Sequence, residues 1–117
     1  MDIQYPNFGT IVIDGERYDH DLIIEDGHVT ARDKSPSKPL KGRYGHTPLS
    51  DGEAIPWSRP RLIIGSGYSG SLPIVSAVED EADRRGIDLV VMPTAEAVDL
   101  LNGSDLSDVN AILHVTC

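Results

Sequence analysis

Residues 61–70, Arg-Leu-Ile-Ile-Gly-Ser-Gly-Tyr-Ser-Gly, constrain the fold more than any other stretch of the chain. An apolar run introduced by Pro60 and cut short by glycine has the form of a strand buried on both faces. Such strands belong to parallel or mixed sheets, whose connections are helices. The next residues supply one. Leu72, Val75, Val78 and Ala82 recur at spacings of three and four, with Ser71 as cap, Pro73 tolerated in the first turn and Gly86 as the stop. Residues 87–92 then read as a second buried strand, Thr94 as the cap of a helix over 95–102, and residues 109–116 as the strand that closes the sheet. Strands alternating with short-linked helices predict right-handed crossovers.

Upstream the pattern changes to antiparallel strands. Asp14-Gly15 and Asp26-Gly27 are two-residue hairpin signals, because both central positions of the favoured turn need positive φ. They divide the region into strands at 11–13, 17–25 and 28–32, a three-stranded meander. The middle strand alternates Tyr18, His20, Leu22 and Ile24 against Asp19, Asp21, Ile23 and Glu25. Residues 33–60 contain five of the eight prolines and read as loop, with room for a turn or two after Ser50. The expected architecture is one α/β domain of three layers, with a mixed central sheet, flanking helices and an N-terminal antiparallel meander. At 117 residues, 39% of them hydrophobic but only one Phe and one Trp, its core must be mostly Ile, Leu and Val.

The net charge of −9 argues against general nucleic-acid or anionic-membrane binding, since phosphates are repelled at long range. No apolar run reaches the roughly 20 residues a membrane span needs, and Met1-Asp2-Ile3-Gln4 lacks a signal-peptide pattern, so a cytoplasmic location is expected. A lone cysteine, Cys117, allows no intrachain disulfide. One local reversal stands out. Arg32, Lys34, Lys38, Lys41 and Arg43 hold five of the ten basic residues, opposed there only by Asp33. Thirteen Asp against six Glu, and seven Arg against three Lys, match either a halophile's solvated surface or ordinary solubility charge.

Gly65, Ser66, Gly67, Tyr68 and Gly70 carry the spacing G-x-G-x-x-G after a strand, the setting of a dinucleotide fingerprint. Glycines let backbone amides approach an anion, and a helix start adds unpaired donors. Two parts are missing. The next strand ends Val91-Met92-Pro93-Thr94 without the acid that holds a ribose, and no Lys follows the last glycine as in a phosphate loop. No cofactor and no metal are expected. The turn is read either as a close-packed strand-to-helix connection or as a small-anion site to which Thr94 contributes. His114 and Cys117 suggest a nucleophile pair, but residues three apart on a strand face opposite ways, and a terminal carboxylate would raise the thiol pKa. His114 is therefore read as packed or hydrogen-bonded. Alternation sets His20 opposite Asp19 and Asp21, which gives a solvated strand face rather than a metal cluster. His46, in a Gly-Pro loop, and Lys34 and Arg43, in the basic stretch, complete the candidates, since that stretch is either solvated loop or part of an anion or partner site.

These segments together resemble a small domain family of unknown function from archaea and bacteria, whose eukaryotic relatives include mitochondrial complex I assembly factor three and an adipogenesis-associated protein. The resemblance rests on Phe8-Gly9, Ile63-Ile64-Gly65-Ser66-Gly67 with Gly70, Pro93-Thr94-Ala95-Glu96-Ala97 and Ile112-Leu113-His114-Val115-Thr116-Cys117. It covers nearly the whole chain and implies a three-layer mixed-sheet fold. It supplies no reaction. Its better-understood relatives work through protein partners, which implies a non-catalytic interaction or assembly module, with a small-anion enzyme or sensor at the glycine turn as the alternative. The middle departs from the family, with Tyr44-Gly45-His46-Thr47-Pro48 where a Gly-Thr-Ser-His type segment is expected.

Overall fold

Both Asp-Gly pairs turn the chain as their chemistry requires. Asp14 and Gly15 have φ of 50° and 84°, and Asp26 and Gly27 have 51° and 78°, in a computed structural model that describes all 117 residues. The first turn joins β2 (Thr10–Ile13) to β3 (Glu16–Tyr18), and these with β1 (Ile3–Asn7) form a small antiparallel sheet in the order β1-β2-β3. The second joins β4 (Leu22–Glu25) to β5 (His28–Ala31), which belong to a different sheet.

The strand expected over 17–25 is thus two strands. The chain leaves the small sheet after Tyr18 and enters the larger one at Leu22, and the break falls where Asp21 accepts the Val115 amide at 2.9 Å. A first strand at Ile3–Asn7 carries too few apolar residues, and a proline, to announce itself.

The larger sheet runs β5-β4-β8-β6-β7, where β6 is Arg61–Ser66, β7 is Asp88–Met92 and β8 is Val109–His114. β6 is parallel to both β7 and β8, and β4 is antiparallel to β8 and β5. Its two faces are packed differently. Ile63, Ala111 and Leu113 meet Ile3, Ile11 and Ile13 of the small sheet and Ala97, Val98 and Leu101 of α3 (Thr94–Asn102). Leu62, Ile64 and Ile112 meet Val78 of α2 (Ser76–Arg85) together with Leu49 and Leu72. The result is the three-layer α/β architecture expected, with a mixed central sheet.

Three features of the second half differ from expectation. α2 starts at Ser76 behind Val75, so Ser71 caps nothing and the glycine turn does not run straight into a helix. Between them Leu49 donates to Pro73 and Val75 to Leu49, an extended link to the middle loop that strand-to-helix spacing cannot reveal. Thr94 is the first residue of α3, behind Pro93, and does not cap its own helix. β7 is an edge strand, half open to water, because nothing follows it in the sheet. In the middle loop, Ser35–Leu40 form 3-10 turns that lead into α1 (Lys41–Tyr44), which ends at Gly45 with φ of 78°.

Candidate functional site

The parallel strands β6, β7 and β8 all end on the same side of the sheet, at Ser66, Met92 and His114. Ligands of open α/β sheets gather outside such carboxyl ends. Gly65, Ser66, Gly67, Tyr68, Gly70, Thr94 and His114 all fall here, but the glycine turn has already committed most of its amide donors. The Gly67 amide donates to Thr94 Oγ1 at 2.8 Å, and that hydroxyl donates to the His114 carbonyl at 2.6 Å. The Thr94 amide returns to the Gly67 carbonyl at 3.0 Å, while Tyr68 donates to Thr116 at 2.7 Å and Ser71 to Cys117 at 2.9 Å. Close approach explains the glycines. A Cβ on Gly67, whose φ is 106°, would lie 2.2 Å from the Cys117 carbonyl carbon, and one on Gly65 would lie 2.9 Å from Thr94 Oγ1. The turn clamps residues 116–117 and the start of α3 to the end of β6.

The His114 ring turns elsewhere. Its Nδ1 lies 2.8 Å from Asp21 Oδ2, the oxygen that also accepts Arg32 Nη1 at 2.8 Å. Arg32 directly follows β5 and opens the basic stretch, yet its side chain is only 1% exposed. It grips Glu53 with two bonds, Nε to Oε1 at 2.7 Å and Nη2 to Oε2 at 2.8 Å, and donates to the Pro48 carbonyl at 3.0 Å. Ser37 donates to Glu53 Oε2 and meets Ser50 at 2.6 Å. One ion network therefore ties the crossover between the sheets, the end of β8 and the proline-rich loop. Burial would push the Asp21 carboxyl up, but His114, the Val115 amide and Arg32 together hold it below the usual carboxylate range. Burial would likewise lower Arg32, and the paired carboxylates of Glu53 and Asp21 keep it above its ordinary value.

Beside this network lies a cleft of 210 Å³, into which Lys34, Lys41, His46, His114, Thr116 and Cys117 face. A second hollow of 220 Å³ adjoins it through Arg32, Lys34 and Thr116 and reaches His20. An Nδ1–H donor to Asp21 leaves Nε2 of His114 as an acceptor, 3.4 Å from Thr116 Oγ1. Inside the buried triplet two carboxylates outnumber Arg32, and Lys34 and Lys41 add two cations to the lining of the cleft. Four of the sequence candidates, His114, His46, Lys34 and Cys117, thus share one cleft, and the glycine turn with Thr94 backs it from behind residues 116–117. Arg43 is not among them, since its guanidinium lies over the Tyr44 ring, 5.8 Å from the centroid. No three His, Cys, Asp or Glu side chains converge as a metal ion requires.

Asp21 and Arg32 correct two expectations. Asp21 is not on a solvated strand face, because the strand that would have turned it outward breaks there. Arg32 is not part of a solvated basic loop. Arg32 and Lys41 fall in the basic stretch whose other reading is an anion or partner site, whereas Glu53 and the buried role of Asp21 are what sequence reading missed. The only available signal was an acidic residue, Glu53, in the same proline-rich loop as the basic run.

No family model and no curated protein matches this chain. Solved structures do. The conserved hypothetical protein PH1505 from Pyrococcus horikoshii is 28% identical over 100% of both chains, with a TM-score of 0.83. MT938, from Methanothermobacter, is 29% identical over 98% of this chain and 97% of its own, with a TM-score of 0.72. An outer membrane protein from Bartonella henselae, at 15% identity over 99% and 95% of the two chains and a TM-score of 0.64, shares the fold alone. The chain is thus similar throughout to conserved hypothetical archaeal proteins. No helix is long and apolar enough to cross a membrane.

Proposed function

We propose that the chain binds a small oxyanion, a phosphate or carboxylate group, in the cleft between the basic loop and residues 114–117, and that His114 exchanges a proton with it. The observation that carries this reading is the Asp21-held imidazole opening into a cleft lined by Lys34 and Lys41, in a chain of net charge −9. A carboxylate on one ring nitrogen fixes the tautomer and leaves the other nitrogen free to act as acid or base. Cations at the mouth draw an anion against the field of the whole protein. Gly65, Gly67 and Thr94 serve in this reading as the backing that holds the cleft wall, and His46 and Cys117 as lining. A thermal-shift series with inorganic phosphate, sulfate and acetate tests it. Phosphate at 100 times its dissociation constant adds about 2.7 kcal/mol of stability to the wild type, and failure of all three anions to raise its Tm would end the proposal.

A second observation favours an interaction or assembly module, the role implied by the resemblance to a small archaeal and bacterial family whose better-understood eukaryotic relatives work through protein partners. Phe8 and Tyr68 are 53% and 64% exposed, and their rings meet edge to face at 6.0 Å. Tyr5 joins Tyr68 at 6.4 Å, so half of the chain's six aromatic residues form one patch. Aromatic anchors of this sort carry protein interfaces. If the patch holds a partner, the F8S/Y68S variant releases at matched salt what the wild type retains, and the phosphate response is untouched.

A further inference from the structure

The opposite border of the molecule carries a different surface. β7 pairs with β6 alone, so one side of its backbone has no strand partner. Asp88 donates its amide to Pro60, on the β6 side. Because bonding alternates along a parallel ladder, Leu89 and Val91 turn their N–H and C=O groups outward. Those two side chains, with Ile87, floor a 440 Å³ groove between β7 and α2, and Glu79, Asp83 and Asp88 form its rim. Val91 is 46% exposed. Sheets guard an open edge with lysine, proline, a bulge or a short strand, yet Asp88-Leu89-Val90-Val91-Met92 keeps regular register over five residues and contains no lysine or proline.

Charge decides between the occupants of this edge. A second copy would bring another net charge of −9 and set an identical carboxylate rim against the first. An extended segment with apolar and basic side chains on one face satisfies every feature at once. Its backbone completes the ladder at Leu89 and Val91, its apolar side chains enter the groove, and its cations reach Glu79 and Asp83. We infer that the β7 edge receives a basic, extended segment of a partner protein by strand addition. This surface is independent of the cleft at His114.

The probe is a capped peptide, Val-Thr-Lys-Thr-Val-Thr-Lys, whose Val and Lys side chains share one strand face, titrated into the intact chain at low salt. Trp57 reports binding by fluorescence, since it packs in the same apolar cluster as Ile87 and Leu89. Amide exchange at Leu89 and Val91 is expected to slow at least tenfold in the complex. Methylating alternate peptide nitrogens in the probe should abolish that protection, and Glu79→Lys with Asp83→Lys, both exposed, should weaken binding at least tenfold. Unchanged exchange at Leu89 and Val91 would overturn the inference. So would binding that survives backbone methylation, which marks bulk charge attraction, or sedimentation of the free chain as a dimer that Val91→Lys dissolves.

Discussion

The two flanks of residues 115–117 make an instructive pair. On one flank the glycine turn presses so closely that amides of Gly67, Tyr68 and Ser71 are all bonded to protein oxygens, and no Cβ fits at Gly67. On the other, the proline-rich basic loop arrives behind a buried ion network and leaves a cleft open between Lys34, Lys41 and His114. The motif with ligand-binding spacing is closed, and the irregular loop is where a ligand has room. Spacing reports what a backbone can do, whereas the tertiary fold decides which of its donors remain free.

The sharpest way to break this contrast is at Gly67. If the turn is a clamp, Gly67→Ala costs ~4 kcal/mol or more in urea denaturation, since a clash and a positive φ act together. Gly86→Ala, with φ of 68° but nothing within 4 Å, should cost only ~1 kcal/mol. Equal losses at the two sites would remove the argument for a clamp. Next in size is the ion network. Arg32→Met leaves Asp21 and Glu53 without their cation in a buried setting, and a loss of about 3–5 kcal/mol is expected by the same measurement.

A pH profile of stability isolates Asp21. A carboxyl held below its unfolded value near 3.9 stabilises the folded chain at all pH above that value. As pH falls below about 5 the unfolded chain takes up protons first, so stability declines, and the contribution is gone once the native Asp21 is itself protonated. Asp21→Asn should therefore lower stability at pH 7 and flatten the acid limb, and an unchanged limb would show that Asp21 is not strongly coupled to its partners. The smallest effect on folding belongs to the open flank. Lys34→Gln with Lys41→Gln should shift stability by less than about 0.5 kcal/mol. In the same variant, phosphate affinity should fall at least tenfold by calorimetry.

Much of the fold was legible because its signals are local. The Asp-Gly turns demand positive φ, the apolar run at Leu62-Ile63-Ile64 demands two covered faces, and Gly86 demands the end of a helix. The larger site was not legible, and Asp21 shows why. Period-two alternation predicts the outward face only while the strand continues, and the strand stops there because of a partner, Val115, that lies 94 positions away. Arg32 and Glu53 are 21 positions apart, joined by a loop with no period at all.

Sequence by itself determined the α/β class, the hairpin turns and the run of strands and helices through the second half, since each depends on backbone preferences and burial patterns within one segment. Only the tertiary structure decided that the glycine turn spends its amides on residues 116–117 and Thr94, that the 17–25 region serves two sheets, and that a basic loop shelters an Asp21-bound His114. Those outcomes depend on which distant groups compete for each hydrogen bond, a contest that is settled only when the layers close.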